Sequence, residues 1–347
     1  MERRRRCPHP VPSSAAGRSN PSRPWPGFPS ERWVLPRVLA HWGDGRTWLS
    51  AFGPEGTRES ELAGHLDAAQ ELVAPPAPPP AARRAPEDPS QFQRLVAEAL
   101  DELRQGWTHK LVVARCIEVD SDAPWSERQV LASLTSRFRS CRTFLVRGAD
   151  GSAFVGASPE LLCEVRGAAV RAEALAGTAA PEEAAKLLSS TKNRREHEAV
   201  VAHVREVLGR FVSGLEMPET PGLRPLANVV HLHTPAMGRM REGTSAFALA
   251  RALHPTPAVA GLPVARTLEW LQRREGFSRG WYSGVVGAVG PEASTFSVAL
   301  RSALLRGPRA SVFVGAGVVE GSTPRGEWLE TERKASALLP ALGVEHG

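Results

Sequence analysis

Glu327, Glu330 and Lys334 recur at helical spacing in the segment Gly326–Lys334, GEWLETERK. Residues three and four apart are neighbours on a helix surface, so two carboxylates and an ammonium share one face with Leu338. Such a face is either solvated or holds charge for a purpose. A further carboxylate, Glu196 in RREHEAVV, lies four residues before Val200. It extends the apolar stripe of Val200, Val204, Val207, Leu208 and Phe211 toward the start of a helix. A carboxylate on a core-facing stripe needs a partner, because burying an unpaired charge is costly. That partner is either a cationic side chain at the helix end or a metal ion. If two such helices meet, Glu196 and Glu330 come together. Like charges at close range are tolerated around a cation, and a hard ion held by carboxylates alone would be Mg²⁺.

The elements that must position these residues are legible. Thr323 is the expected N-cap of the second helix, Pro324 its first residue and Pro340 its end. STKNRREHEAVVAHVREVLGRFV reads as a long amphipathic helix. SQFQRLVAEALDELRQG is another, with Leu95, Ala99 and Leu103 on one stripe and Gly106 as its stop. Strands are expected in KLVVARCIEV, TFLVRG, AFVGASPELLCEVRG, AAVRAEALAGT, GWYSGVVGAVG, TFSVALRSALL and ASVFVGAGVVE, with RGPR as a turn. The segment Trp33–Gly53 reads as a hairpin turning at GDG. The proline-rich stretch at 73–89 reads as an exposed linker without regular structure. Helices are interspersed without strict βαβ alternation, which favours an α+β fold over a doubly wound sheet.

Composition excludes several classes. The 347 residues suit one large domain or two average ones, and 42% hydrophobic residues supply a substantial core. No apolar run approaches the ~20 residues of a membrane helix, and the start MERRRRCPHP is not a secretory signal. Cys7, Cys116, Cys141 and Cys163 are scattered, without a zinc or disulfide pattern. A reducing cytoplasm is the expected compartment. The formal charge is +6, but residues 1–24 hold six arginines and one acid, net +5, which leaves +1 for the rest (6 − 5). The excess sits in a Pro/Ser-rich tail expected to be disordered over residues 1–30, so no folded nucleic-acid surface is indicated. VFVGAGVVEG has Gly315 and Gly317 but Glu320 where a dinucleotide fingerprint needs its third glycine. Neither GxSxG nor HExxH occurs, and the pairs His231/His233 and His197/His203 lack metal spacing.

Segments distributed along the chain carry a resemblance. They are KLVVAR (Lys110–Arg115), GASPELL (Gly156–Leu162), EALAGT (Glu173–Thr178), KNRREHEAVV (Lys192–Val201), HLHTPAMG (His231–Gly238), LHPTPAVAGLP (Leu253–Pro263), FSRGWYSGVVG (Phe277–Gly287), ALRSALL (Ala299–Leu305) and the stretch Gly315–Leu339. In this order the chain resembles the chorismate-utilising enzymes, most closely the isochorismate synthases, over residues 90–342. The resemblance implies that family's fold, two large antiparallel sheets packed together with helices outside. It implies one chorismate-binding domain over 31–347, with the amino-terminal part shortened before the KLVVAR strand.

By the same resemblance, Lys110 falls on the general base that activates a water for attack at C2 of chorismate. Glu160 falls on the general acid that protonates the departing C4 hydroxyl. Glu196 and Glu330 fall on Mg²⁺ ligands. Glu327 belongs to the metal site one turn before Glu330, and Asn193 stands one turn before Glu196. The substrate pocket would use Gly177, Thr178, His231, Thr256, Ala258, Val259, Tyr282, Arg301, Gly315 and Lys334. The residue types suit these roles. Hydroxide is a poor leaving group and needs an acid, and the guanidinium of Arg301 can bind a carboxylate bidentately. A lysine acts as base when desolvation or nearby cations lower its pKa.

Ala176 narrows the choice. Aminodeoxychorismate synthases resembling this family place a nucleophilic lysine there, and alanine leaves water as the nucleophile. HPTPAVAG disfavours anthranilate synthases. The implied activity is a Mg²⁺-dependent isomerase forming isochorismate, with menaquinone or siderophore biosynthesis as its route. The alternatives are a salicylate synthase, which would go on to eliminate pyruvate, and a shortened inactive paralogue. The implied partner is the small molecule chorismate, with a monomeric enzyme and neither nucleic acid nor membrane.

Overall fold

The computed structural model describes residues 14–17, 25–34, 38–43, 46–51, 60, 63–64, 79–226, 228–290 and 292–344. Two large antiparallel sheets dominate. The nine-stranded sheet runs in the order Val212–Glu216, Val230–Met240, Ala169–Ala179, Leu161–Arg166, Ala293–Val298, Val285–Val289, Ser14–Gly17, Glu31–Trp33, and Gly222–Pro225 also pairs with Val230–Met240. The seven-stranded sheet runs Gly261–Leu262, Lys110–Ser121, Arg309–Val318, Ser302–Arg306, Ala153–Ser158, Arg142–Arg147, with Ala82–Arg84 also on Lys110–Ser121. The expected hairpin is present as Val38–Gly43 paired with Arg46–Ala51. The α+β expectation holds.

Strand alternation explains how the layers pack. On Lys110–Ser121, Leu111 and Val113 pack under the helices Pro89–Arg104 and Val264–Arg274, while Ala114 joins the aromatic cluster between the sheets. Side chains of a strand point alternately to its two faces, so both faces are covered. The aromatic cluster contains Trp25, Phe28, Phe154, Trp281, Tyr282 and Phe313, and Trp25 stacks on Phe313 with ring centroids 5.2 Å apart. The long helix Thr191–Phe211 lays Val200, Val204, Val207 and Leu208 against the nine-stranded sheet. The helix Pro324–Leu338 covers the seven-stranded sheet with Ala335 and Leu338. Its start is as expected: the Thr323 hydroxyl accepts from Gly326 N at 3.1 Å and Pro324 is the first residue.

Two of the expected strands are each two strands. The run AFVGASPELLCEVRG breaks at Pro159–Glu160: Ala153–Ser158 belongs to the seven-stranded sheet and Leu161–Arg166 to the nine-stranded one. TFSVALRSALL breaks likewise, into Ala293–Val298 and Ser302–Arg306. Continuous apolar runs conceal these crossings because both halves are buried, and periodicity cannot register a change of sheet.

The amino-terminal expectations need correction where the structure describes them. Ser14–Gly17, placed in the disordered tail, is a strand pairing Val285–Ala288 on one side and Glu31–Trp33 on the other. Trp25 and Phe28 are buried. Aromatic burial gives this polar segment the apolar area that its composition conceals. The nine-stranded sheet therefore takes in residues before 31. Within the proline-rich linker, Ala82–Arg84 pairs with Val119–Ser121. Pro89 opens the helix Pro89–Arg104 behind an Asp88 cap. The remaining tail and residues 73–78 lie outside the described residues.

Candidate active site

The two sheet crossings run side by side, and each places a chemically active side chain. At one, the Glu160 carbonyl accepts from Val298 N at 3.1 Å; at the other, the Arg301 carbonyl accepts from Ala157 N at 3.1 Å. Arg301 has φ +49° and the neighbouring Ser283 φ +59°. These left-handed conformations cost a residue with a Cβ about 1 kcal/mol or more each and tend to gather at functional sites. Both residues line one cavity, together with Glu160, Leu175, Gly177, Thr178, Glu196 and His231.

The cavity holds its charges in unequal states. Burial, followed by the charge of Glu173, pushes the Glu160 carboxyl up to about 7, against the pull of Lys110, Lys334 and Arg224. Near neutral pH this carboxyl carries a proton for part of the population, as a general acid must. Arg301 is buried, with no carboxylate within ion-pair distance among the described residues. Burial lowers its pKa only from a very high starting value, so the guanidinium remains charged and faces the cavity. Burial, then the nearby Arg301 charge, holds the His231 imidazole well below its ordinary range. Its Nδ1 lies 3.0 Å from the Thr178 hydroxyl. Gly177, at φ +75°, sits in a bulge of the strand Ala169–Ala179 that turns its backbone toward the cavity.

Three glutamates from two helices flank the same cavity, and each is paired with a lysine. Lys110 Nζ lies 3.2 Å from Glu196 Oε1, without a well-directed hydrogen bond. Lys192 pairs with Glu327, and Lys334 Nζ lies 2.8 Å from both Glu330 Oε1 and the Gly315 carbonyl. Burial and then the Glu330 charge push Glu327 up to about 7. Glu330 is held below the usual carboxylate range, because Lys334 and Lys192 outweigh its burial. Gly315 and Gly317 make room for this arrangement. A Cβ on Gly317 would stand 2.1 Å from Glu196 Oε1, and one on Gly315 would stand 3.0 Å from the Tyr282 hydroxyl. These glycines serve close approach of side chains, not a phosphate turn.

The donor set suits Mg²⁺. Glu196, Glu327 and Glu330 are buried and offer only oxygen, and Glu327 Oε2 is buried without a hydrogen-bond partner. Among the described residues no three acidic, His or Cys side chains are grouped to enclose a metal. Mg²⁺ is ordinarily held by one or two carboxylates with ligand oxygens and water, so the residues fit an ion completed by a bound ligand.

A family model described as "Chorismate binding enzyme" matches residues 14–343. The chain belongs to the chorismate-binding enzymes. It is 39% identical over 268 residues to the salicylate biosynthesis isochorismate synthase of Pseudomonas aeruginosa, covering 74% of this chain and 56% of that protein. It is 34% identical over 267 residues to isochorismate synthase MenF of Bacillus subtilis, again 74% of this chain and 56% of the relative. The chain thus spans little more than half the length of these relatives. The solved structure of MenF, the menaquinone-specific isochorismate synthase of Escherichia coli, superposes with a TM-score of 0.80 at 28% identity, covering 95% of this chain and 78% of that one. Anthranilate synthase component I of Streptococcus pneumoniae shares the fold, with a TM-score of 0.78 at 21% identity over 97% of this chain and 82% of that one.

In this chorismate-binding enzyme the residues expected from sequence divide into two groups. Glu160, Gly177, Thr178, Glu196, His231, Ala258, Val259, Tyr282, Arg301, Gly315 and Lys334 line the cavity. Lys110, Thr256, Glu327 and Glu330 stand behind the lining. Thr256 shapes the loop: its carbonyl accepts from Val259 N and Ala260 N, and its hydroxyl from Ala258 N at 3.2 Å. The histidines bond to protein groups: His197 reaches the Ala176 carbonyl and the Thr234 hydroxyl, and His203 the Leu253 carbonyl. Residues missed from sequence are Val112, Pro159, Leu175, Ser283, Leu300, Phe313, Val314 and Gly317 in the lining, and Lys192 beside Glu327. Most are apolar or small, and nothing in their spacing separates a cavity wall from a core.

Proposed function

We propose that this chorismate-binding enzyme isomerises chorismate to isochorismate. The observation that carries the reading is Glu160: a buried carboxyl, raised to about 7, in a cavity that also presents a charged Arg301 without a carboxylate partner. Arg301 and Lys334 bind the two carboxylates of the substrate, and Tyr282, His231 and the Gly177 backbone fix the ring. Lys110, buried behind the lining beside Glu196 in this structure, would have to part from that carboxylate and reach the cavity to take a proton from a water whose oxygen forms a bond to C2. The ring double bonds shift, the C4–oxygen bond breaks, and Glu160 gives its proton to the departing hydroxide, so one water enters and one leaves. Ala176 presents only a methyl group at the position where an amine could have attacked instead. Glu196 and Glu330, supported by Glu327, would hold Mg²⁺, which supplies positive charge to a substrate carboxylate when bound. The similarity to proteins named isochorismate synthase supports this reading.

Purified protein incubated with chorismate and Mg²⁺, with products separated by chromatography, tests it. Isochorismate alone is expected. Salicylate with pyruvate would replace the reading with a salicylate synthase, and absence of turnover with an inactive binder. Isotope-labelled water should appear at C2 of the product; its absence would sink water as the nucleophile.

A further inference from the structure

The strand Lys110–Ser121 pairs along one edge with Arg309–Val318, from Leu111 to Asp120. Its other edge is covered only at its ends. Gly261–Leu262 pairs with Lys110 and Leu111, and Ala260 O accepts from Val112 N at 3.1 Å. Ala82–Arg84 resumes the pairing at Val119. In the gap, two side chains stand in for a strand. Glu275 Oε1 accepts from Ala114 N at 2.8 Å, and Arg279 Nη2 donates to the Val112 carbonyl at 2.6 Å. Buried backbone groups must be paired, so the gap could not remain empty.

Arg279 reaches further. Its Nη1 donates to the Val259 carbonyl at 2.8 Å, its Nε to Glu275 Oε2 at 2.7 Å, and its own carbonyl accepts from Tyr282 N at 2.8 Å. Val112, Val259, Tyr282 and Ser283 all line the cavity. Arg279 is 2% exposed, so these bonds form without competing water. A planar guanidinium suits this task, since its donors lie in a fixed fork that can hold two carbonyls and a carboxylate in one plane.

We infer that Glu275 and Arg279 are positioning residues for turnover, fixing the strand that bears Lys110 against the Val259 and Tyr282–Ser283 walls of the cavity. The inference rests on the isomerase reading. Neither residue lines the cavity; both act by holding Lys110 and the ring-binding wall at a set separation. Catalytic groups displaced by about an ångström can lose on the order of a hundredfold in rate.

The test uses Arg279→Lys, which keeps the charge beside Glu275 but loses the fork. Turnover and amide hydrogen exchange are measured on the full chain, with the folded fraction taken from circular dichroism. The expected result is kcat per folded molecule down about tenfold to a hundredfold, KM within about threefold, and faster exchange confined to Val112–Ala114 and Val259–Ala260. An unchanged kcat per folded molecule would overturn the inference, because a merely structural pair alters only how much protein folds. If Arg279→Lys does not fold, the same readings are taken on Glu275→Gln, which keeps an acceptor for Ala114. If neither folds, the pair is a folding requirement and the inference fails. If the unmodified protein shows no turnover, the isomerase reading falls by itself. Exchange then decides whether the pair pins these segments, and unaltered exchange at both would overturn that too.

Discussion

Two buried arginines of this protein are in opposite circumstances. Arg115, under the helix Pro324–Leu338, is saturated: it pairs with Glu87 and Glu332, donates to the Thr331 hydroxyl at 2.9 Å, and lies 3.9 Å from the Trp328 ring centroid. Arg301 is as deeply buried yet has no carboxylate partner among the described residues, and its backbone is in the left-handed region. A buried charge that is fully paired belongs to the scaffold, whereas one that is left without its counter-ion awaits one. The same contrast separates the Glu275–Arg279 pair from Glu160. The scaffold neutralises its charges internally; the cavity wall keeps a proton and a positive charge ready for a ligand.

Substitution on either side tests that contrast. The largest expected effect is at Glu160. Glu160→Gln should lower kcat by roughly 10² to 10⁴, the contribution of a positioned acid, with thermal stability unchanged or raised. Loss of stability alongside activity, seen by calorimetry, would make Glu160 a scaffold residue. Arg301→Met comes next. It should cost roughly tenfold to a hundredfold in kcat/KM for chorismate, as expected for losing a charge-assisted bond, while the melting temperature holds. Arg115→Met should do the reverse, losing roughly 3 kcal/mol of stability in denaturant titration because it strips Glu87 and Glu332 of a partner, with kcat per folded molecule kept within about twofold. The smallest effect is that of pH. In the proposed reaction Glu160 works in its protonated form; its pKa is raised to about 7, so the proton is present below that value and lost as pH rises through it. The alkaline limb that Glu160 imposes on the pH–rate profile should be absent from Glu160→Gln, and a variant profile of unchanged shape would remove Glu160 from the acid role.

Part of this architecture is written locally. The cap at Thr323, the apolar stripe that includes Glu196, and the turn between Arg306 and Arg309 depend on neighbours within a few residues, so spacing reveals them. The resemblance segments pointed to the site residues, because chemistry restricts which side chains can stand there. The sheet crossings were hidden, since a buried run looks the same whether it stays in one sheet or passes to another. The strand Ser14–Gly17 was hidden too, because small and polar residues form it only when Val285–Ala288 offers an edge.

Local spacing sets the helix faces, the Thr323 cap, most of the strand runs and the residue types available for acid–base chemistry. Which of those charges are paired depends on the folded arrangement. Burial and counter-ions come from segments far apart in the chain: Glu196 meets Lys110, Glu330 keeps its own helix neighbour Lys334, and Glu160 loses water without gaining a direct cation partner. A carboxylate's proton affinity is set by what surrounds it, and spacing along one element shows only the face on which it lies.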